Sequence, residues 1–310
     1  MNPAYSVIFL TTLIGAAQGL FIALWGADLA GVAQFEGGRS FLVTGGVVAL
    51  LLTGAGLVSS FFHLGRPERA WRTATMWRTS WLSREVIALP LFMGGVFAWV
   101  VALAMGSDLS AFIGLLTVLA CLALFVCTAM VYASVRFLQE WASTYTLVNY
   151  ALLGAASGFT LATALAAIAA PPLVPTYGAL ALVLTALGWL SRGLSLARNA
   201  RLKPKPTLQS AIGIRHPKIA QRAMGFMGGS FNTREFFHGK SAGALRSVKW
   251  VFLFGAFALP LVLLSAGLAG GVPGLLVLAF VVQYLGLLAE RWFFLAQANH
   301  PQNLYYQAVS

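Results

Sequence analysis

Two residues in the first third of the chain have the types and the spacing for proton chemistry at a membrane boundary. His63 closes one long apolar run and Glu85 opens the next, 22 positions later. Counting from the ends of those runs places the imidazole and the carboxyl at similar depth, where water meets lipid. Imidazole titrates near physiological pH, and a carboxyl at the edge of hydrocarbon can hold or release a proton there. Together they suit a lipid-soluble carrier that exchanges two protons, above all a quinone with its two ring oxygens. Each residue also has a plainer reading. A carboxylate in a first helical turn favours the helix dipole and the free amides, with Ser80 or Ser83 as the cap. An imidazole at a helix C-terminus can cap the last carbonyls.

The connection between the pair is rich in aromatic and cationic residues. Trp71, Trp77 and Trp81 fit the interfacial belt of membrane proteins, the alternative being that Trp71 or Trp81 stacks on a quinone ring. Arg66, Arg69, Arg72, Arg78 and Arg84 act as topology signals, the alternative for Arg66, Arg69 or Arg78 being to hold a quinone carbonyl or pair with a partner protein. Ser83 shares a helical turn with Glu85 and completes the candidate quinone-binding set.

These residues must be positioned by membrane-spanning helices. Of 310 residues 59% are hydrophobic and 9% charged, against about 25% charged in a soluble domain. Apolar runs long enough to cross roughly 30 Å of hydrocarbon lie near 5–33, 41–63, 83–105, 109–132, 144–169, 175–197, 248–270 and 273–295. The expectation is an all-α integral membrane protein: one domain over 1–310, a bundle of eight helices. The first run has no basic residue before Arg39 and exceeds a secretory h-region, so it is read as a span without cleavage. Gly106 to Asp108, Pro171 with Pro172, and Gly270 to Pro273 are tight joints, which predicts helical hairpins for spans 3 and 4, 5 and 6, and 7 and 8.

An even number of spans puts both termini on one side. Of the twenty Lys and Arg, nineteen fall on or near that side and Arg39 alone on the other, so the positive-inside rule places the termini and basic loops in the cytoplasm of a bacterial inner membrane. The net charge of +12 is thus a topology signal, and no nucleic acid is expected as a partner. The segment 198–247, with Pro204, Pro206, Pro217 and several glycines, predicts an ordered irregular loop. Its aromatic residues Phe226, Phe231, Phe236 and Phe237 need a cover, and the loop is read as a docking surface for a partner protein, the alternatives being that another loop or the bilayer interface covers the rings.

Other chemistries fit less well. Arg136, Glu140, Arg192, Glu290 and Arg291 all fall near the basic-side ends of their helices, which leaves spans 4 to 8 without ionisable residues at mid-depth and counts against a pump. A stand-alone carrier of a neutral solute remains as an alternative. Haem held between two helical histidines lacks a ligand set, because among His63, His216, His238 and His300 only His63 touches a span, which leaves a haem on His63 alone as the alternative. No metal site is expected, and Cys121 and Cys127, six apart on different helix faces, read as packing residues.

The run His63-Leu64-Gly65-Arg66-Pro67-Glu68-Arg69-Ala70, followed by Leu82-Ser83-Arg84-Glu85, resembles the membrane anchor subunit of dimethyl sulfoxide reductase and its relatives. The eight-span plan agrees along the whole chain. Thr207 to Gly213 and Gly225 to Phe237 resemble the long loop of the sulfite dehydrogenase branch of that family. The resemblance implies a complex of three chains: a molybdenum bis-pterin catalytic chain, an iron–sulfur chain with [4Fe–4S] clusters, and this anchor exchanging electrons with ubiquinone or menaquinone. It implies quinone chemistry at His63 and Glu85, no haem, and metal centres confined to the partners. With the basic side cytoplasmic, it favours sulfite oxidation feeding quinone, the alternative being reduction of dimethyl sulfoxide or another S- or N-oxide at the expense of quinol.

Overall fold

The computed structural model describes residues 1–203, 207–220 and 238–301. Among them are eight helices long and apolar enough to cross a membrane: α1 (Tyr5–Leu29), α2 (Gly38–Phe61), α3 (Trp81–Ala104), α4 (Ser110–Ala133), α5 (Thr144–Ala169), α6 (Val174–Ala200), α7 (Ala242–Gly270) and α8 (Pro273–Ala296). The three expected hairpins form, with α3 against α4, α5 against α6 and α7 against α8. Gly106 and Gly271 turn two of them at positive φ, +69° and +61°, a conformation that costs glycine little.

The ends of the first two spans and the start of the seventh differ from expectation. α1 stops at Leu29 because Gly31 takes positive φ inside the apolar run that hydropathy carries on to residue 33. α7 begins six residues early, where the Ser241 side chain accepts from the Ala244 N–H and caps the helix. It also carries a π-helical turn at Phe254–Ala258. Pro260 has no N–H to offer the Ala256 carbonyl, and the Gln283 amide of α8 approaches that carbonyl instead, at 3.5 Å.

α1 is the central helix, packed against α2, α4, α5 and α8. Its crossing with α5 pairs two small-residue motifs, Gly15-Ala16-Ala17-Gln18-Gly19 and Gly154-Ala155-Ala156-Ser157-Gly158, the pattern that lets membrane helix backbones touch. A Cβ on Gly158 would run into the Gly19 carbonyl carbon and the Leu20 nitrogen, atoms of the opposing backbone. Gly158→Ala is therefore expected to cost about 1–3 kcal/mol through overpacking. Gly193→Ala on α6, where a Cβ meets open space, should be neutral or mildly stabilising. Thermal unfolding in detergent checks the contrast, and equal midpoints for the two variants would refute the close crossing.

The two ends of the bundle differ in character. At one end the Met1 nitrogen donates to the Ala298 carbonyl at 2.8 Å, Ser59 donates to the Ser6 carbonyl at 2.8 Å, and Arg198 donates to the Gln139 carbonyl at 3.1 Å. These contacts gather the chain start, the end of α2, the α4–α5 connection and the ends of α6 and α8 at the basic end. At the other end Asp28 accepts from Trp99 Nε1 at 2.9 Å and Ser110 Oγ at 3.4 Å, which ties α1, α3 and α4 together. Phe226, Phe231, Phe236 and Phe237, like Pro204 and Pro206, lie outside the described residues.

Candidate functional site

The basic end holds a cavity of about 250 Å³ lined by both His63 and Glu85. Local sequence explains its walls. α2 ends at Phe61, and Pro67 at the first position with Glu68 beside it starts a 3-10 segment, Pro67–Met76, that buries none of its residues and lies across the opening. Ala70, Trp71 and Thr73 of this segment line the cavity. Ser80 then caps α3, accepting from the Ser83 N–H at 3.3 Å. Glu85 sits four residues into α3, about 6 Å along its axis.

The two site residues are held differently. Ser6 Oγ meets His63 Nδ1 at 3.2 Å, which leaves Nε2 as the nitrogen free to face a ligand. Desolvation holds the His63 ring below the ordinary imidazole pKa, so it is mainly neutral at pH 7. Glu85 Oε1 accepts from Thr128 Oγ1 of α4 at 2.7 Å. The remaining walls are apolar, with Leu10, Leu57 and Leu89 inside and Phe61, Leu82 and Trp71 at 40%, 45% and 66% exposure on the rim. Val86 and Pro90 also line it, and Pro90 has no N–H for the Val86 carbonyl. The volume lies just below the roughly 300–1,000 Å³ of small-molecule sites, enough for one ring with its tail outside.

Of the other residues singled out in the sequence, Trp71 joins His63 and Glu85 in the cavity and the rest do not line it. Arg69 reaches Glu68 at 3.9 Å on the exposed surface, and Arg66 is exposed beside it. The Arg78 guanidinium lies over the Trp77 ring. Arg84 covers Trp81 at 4.2 Å and donates to the carbonyls of Trp77 and Arg78. Ser83 is buried at 2% exposure. The first turn of α3 therefore holds itself together with its own cations.

Sequence reasoning missed a second constellation on the far side of Glu85. Glu290 of α8 pairs with Arg192 of α6 at 2.7 Å and with its neighbour Arg291 at 3.0 Å, Glu290 and Arg192 both at 1% exposure. The Arg291 guanidinium also rests on the Tyr150 ring of α5, 3.9 Å from its centroid. A small cavity of about 20 Å³ lies between this cluster and the site, lined by Gln18, Glu85, Thr128, Tyr150, Ser157 and Arg291 among apolar residues. Glu85 is a residue common to both cavities. The signal available in the sequence was an Arg and a Glu-Arg pair inside apolar runs, which helix counting reads only as chain-end charges.

Fold and site define a multi-pass membrane protein with a cavity, lined by His63 and Glu85, opening at one end of an eight-helix bundle. The chain belongs to the DMSO reductase anchor subunit (DmsC) family, whose model matches residues 1–296. It is 54% identical, over 325 aligned positions covering the whole of both chains, to a sulfite dehydrogenase subunit of Allochromatium vinosum. No solved structure matches it. The chain is accordingly a membrane anchor of a molybdopterin oxidoreductase complex.

Proposed function

We propose that this anchor is the quinone-reactive subunit of a sulfite-oxidising complex. Electrons from sulfite leave a molybdenum bis-pterin catalytic chain, cross the [4Fe–4S] clusters of an iron–sulfur chain, and reduce ubiquinone or menaquinone in the bacterial inner membrane. The observation that carries the reading is the convergence of His63 and Glu85 on one cavity with an apolar rim. The full-length likeness to a sulfite dehydrogenase subunit directs the choice of substrate.

A bound quinone supplies the two-electron, two-proton chemistry. The chain contributes binding and protons. Leu10, Leu57 and Leu89 keep water from the ring, and Trp71 offers it an aromatic face. Ser6 orients His63 and Thr128 orients Glu85, each able to hand a proton to a ring oxygen. Arg66, Arg69, Arg78, Trp81 and Ser83 act one step back, shaping the charge and conformation of the connection and of the first turn of α3. With the basic end in the cytoplasm, the exposed Arg201, Lys203, Arg215, Lys218, Lys240 and Arg246 form, within 198–247, the docking face for the iron–sulfur chain.

The family model, named for dimethyl sulfoxide reductase, favours a second reading in which the same site oxidises quinol and the electrons run outward to an S- or N-oxide. Purification in mild detergent through a tag on this chain separates the two. Molybdenum, iron and two soluble chains should co-purify, and sulfite should drive reduction of a quinone analogue. Sulfoxide-dependent quinol oxidation without sulfite activity would select the second reading, and recovery of this chain alone without metal would overturn both.

A further inference from the structure

The quinone reading leaves the small cavity behind Glu85 without a role, although it is the more polar of the two chambers that the carboxyl touches. Its volume of about 20 Å³ exceeds the roughly 10–15 Å³ that one water needs, and a water also needs two or more polar partners. Residues able to supply them line it, Glu85, Thr128, Gln18 and Arg291 among others. Arg291 is 5% exposed, and its Nη1 has no hydrogen-bond partner. A buried donor of that kind is rarely left unsatisfied.

Charge points the same way. In the buried cluster two guanidinium groups, Arg192 and Arg291, face one carboxylate, Glu290, which leaves one positive charge over. Among the described residues that line the chamber, Glu85 is the only acid and Arg291 the only cation. An isolated charge inside the bundle is costly, so a carboxylate formed at Glu85 needs water or a cation reached through the chamber.

Resting on the quinone reading, we propose that this chamber is an internal water site through which Glu85 exchanges its proton, with Thr128 and Arg291 as positioning residues. In quinone reduction the two electrons come from the iron–sulfur partner. One proton reaches a ring oxygen from His63 at the partly exposed mouth of the cavity. The other leaves Glu85, and the carboxylate so formed is reprotonated from the chamber water, which regains its proton from the aqueous phase at the basic end. Two protons and two electrons are consumed per quinol formed.

The test uses the purified complex and measures sulfite-driven reduction of a soluble quinone analogue beside sulfite oxidation with an artificial dye. Thr128→Val and Arg291→Met should each lower kcat for quinone about tenfold, a fraction of the roughly 10²–10⁴ that an acid–base group contributes. KM for quinone and the dye activity should stay at parent values. Thr128→Ser and Arg291→Lys should restore most of the rate, a recovery that a merely structural role does not predict. Parent-like kcat in both Thr128→Val and Arg291→Met, with Glu85→Gln inactive, overturns the chamber while leaving the quinone site intact. A raised KM with kcat preserved also overturns it, because that is the mark of a quinone contact. If Arg291→Met fails to assemble, Gln18→Met decides in its place, because Gln18 lines the chamber and not the quinone cavity: a kcat lowered with KM unchanged supports the chamber, and a parent-like kcat overturns it. Parent-like quinone turnover in Glu85→Gln and in His63→Gln is a different pattern and removes the quinone reading itself.

Discussion

On the proposed function, Glu85→Gln and His63→Gln are each expected to abolish quinone-coupled turnover of the complex while dye-linked sulfite oxidation by the attached catalytic chains continues at the parent rate. The expected loss is about 10²–10⁴-fold, the range for removal of a positioned acid–base group. Gln keeps the size and one polar face of Glu85, so the acceptor for Thr128 Oγ1 survives and only the exchangeable proton is lost. His63 adds a pH signature. Its pKa lies below the ordinary imidazole value because the ring is desolvated, so the protonated form needed to donate to quinone becomes scarce as pH rises. Quinone reduction should therefore accelerate as pH falls from about 8 toward about 6, and His63→Gln should flatten that limb in whatever residual rate remains. Steady-state turnover with both acceptors across this range measures the effect. Quinone rates that track dye rates in both variants would place the quinone site elsewhere.

The second large effect concerns stability. Glu290→Gln leaves Arg192 and Arg291 buried side by side without their shared carboxylate. Breaking a buried pair in this way costs about 3–5 kcal/mol, a large share of the roughly 5–15 kcal/mol by which a folded protein is stable. The variant should accumulate poorly in membranes and unfold at markedly lower temperature in detergent. Arg192→Met is expected to be milder, since Glu290 keeps Arg291 at 3.0 Å and no cation is left unpaired. The order of the two midpoints is the readout. A Glu290→Gln midpoint equal to the parent or above that of Arg192→Met would mean that the cluster is not ionised as drawn.

That His63 and Glu85 would meet was legible in the residues, for a definite reason. His63 and Glu85 lie on consecutive spans, and antiparallel neighbours joined by a short connection return to the same membrane face, so residues at similar distances from the turn stay at similar depth. Trp71 lies on that connection and entered the cavity with them. Residue type alone did not show that Arg66, Arg69, Arg78, Trp81 and Ser83 stay outside the cavity lining. That depended on Arg84 folding back over Trp81 and on the 3-10 segment presenting Trp71 and Thr73 inward. The π turn of α7 leaves no hydropathy signature, because its extra residue changes backbone bonding without changing composition.

Composition and the placement of cations were enough to define the class of protein, its eight spans, the three hairpins and the end at which His63 and Glu85 meet. Hydrophobic length and loop charge act locally along the chain, and the bilayer imposes the rest. The packing of the bundle decided everything that joins residues far apart in the chain. Ser6 meets His63, Thr128 meets Glu85, and Arg192 of α6 finds Glu290 of α8. Helix order around α1 is set by which small residues let backbones touch, as at Gly15, Gly19, Gly154 and Gly158. Such contacts depend on shape and on mutual charge compensation in a medium without water, and neither is a property of any one segment.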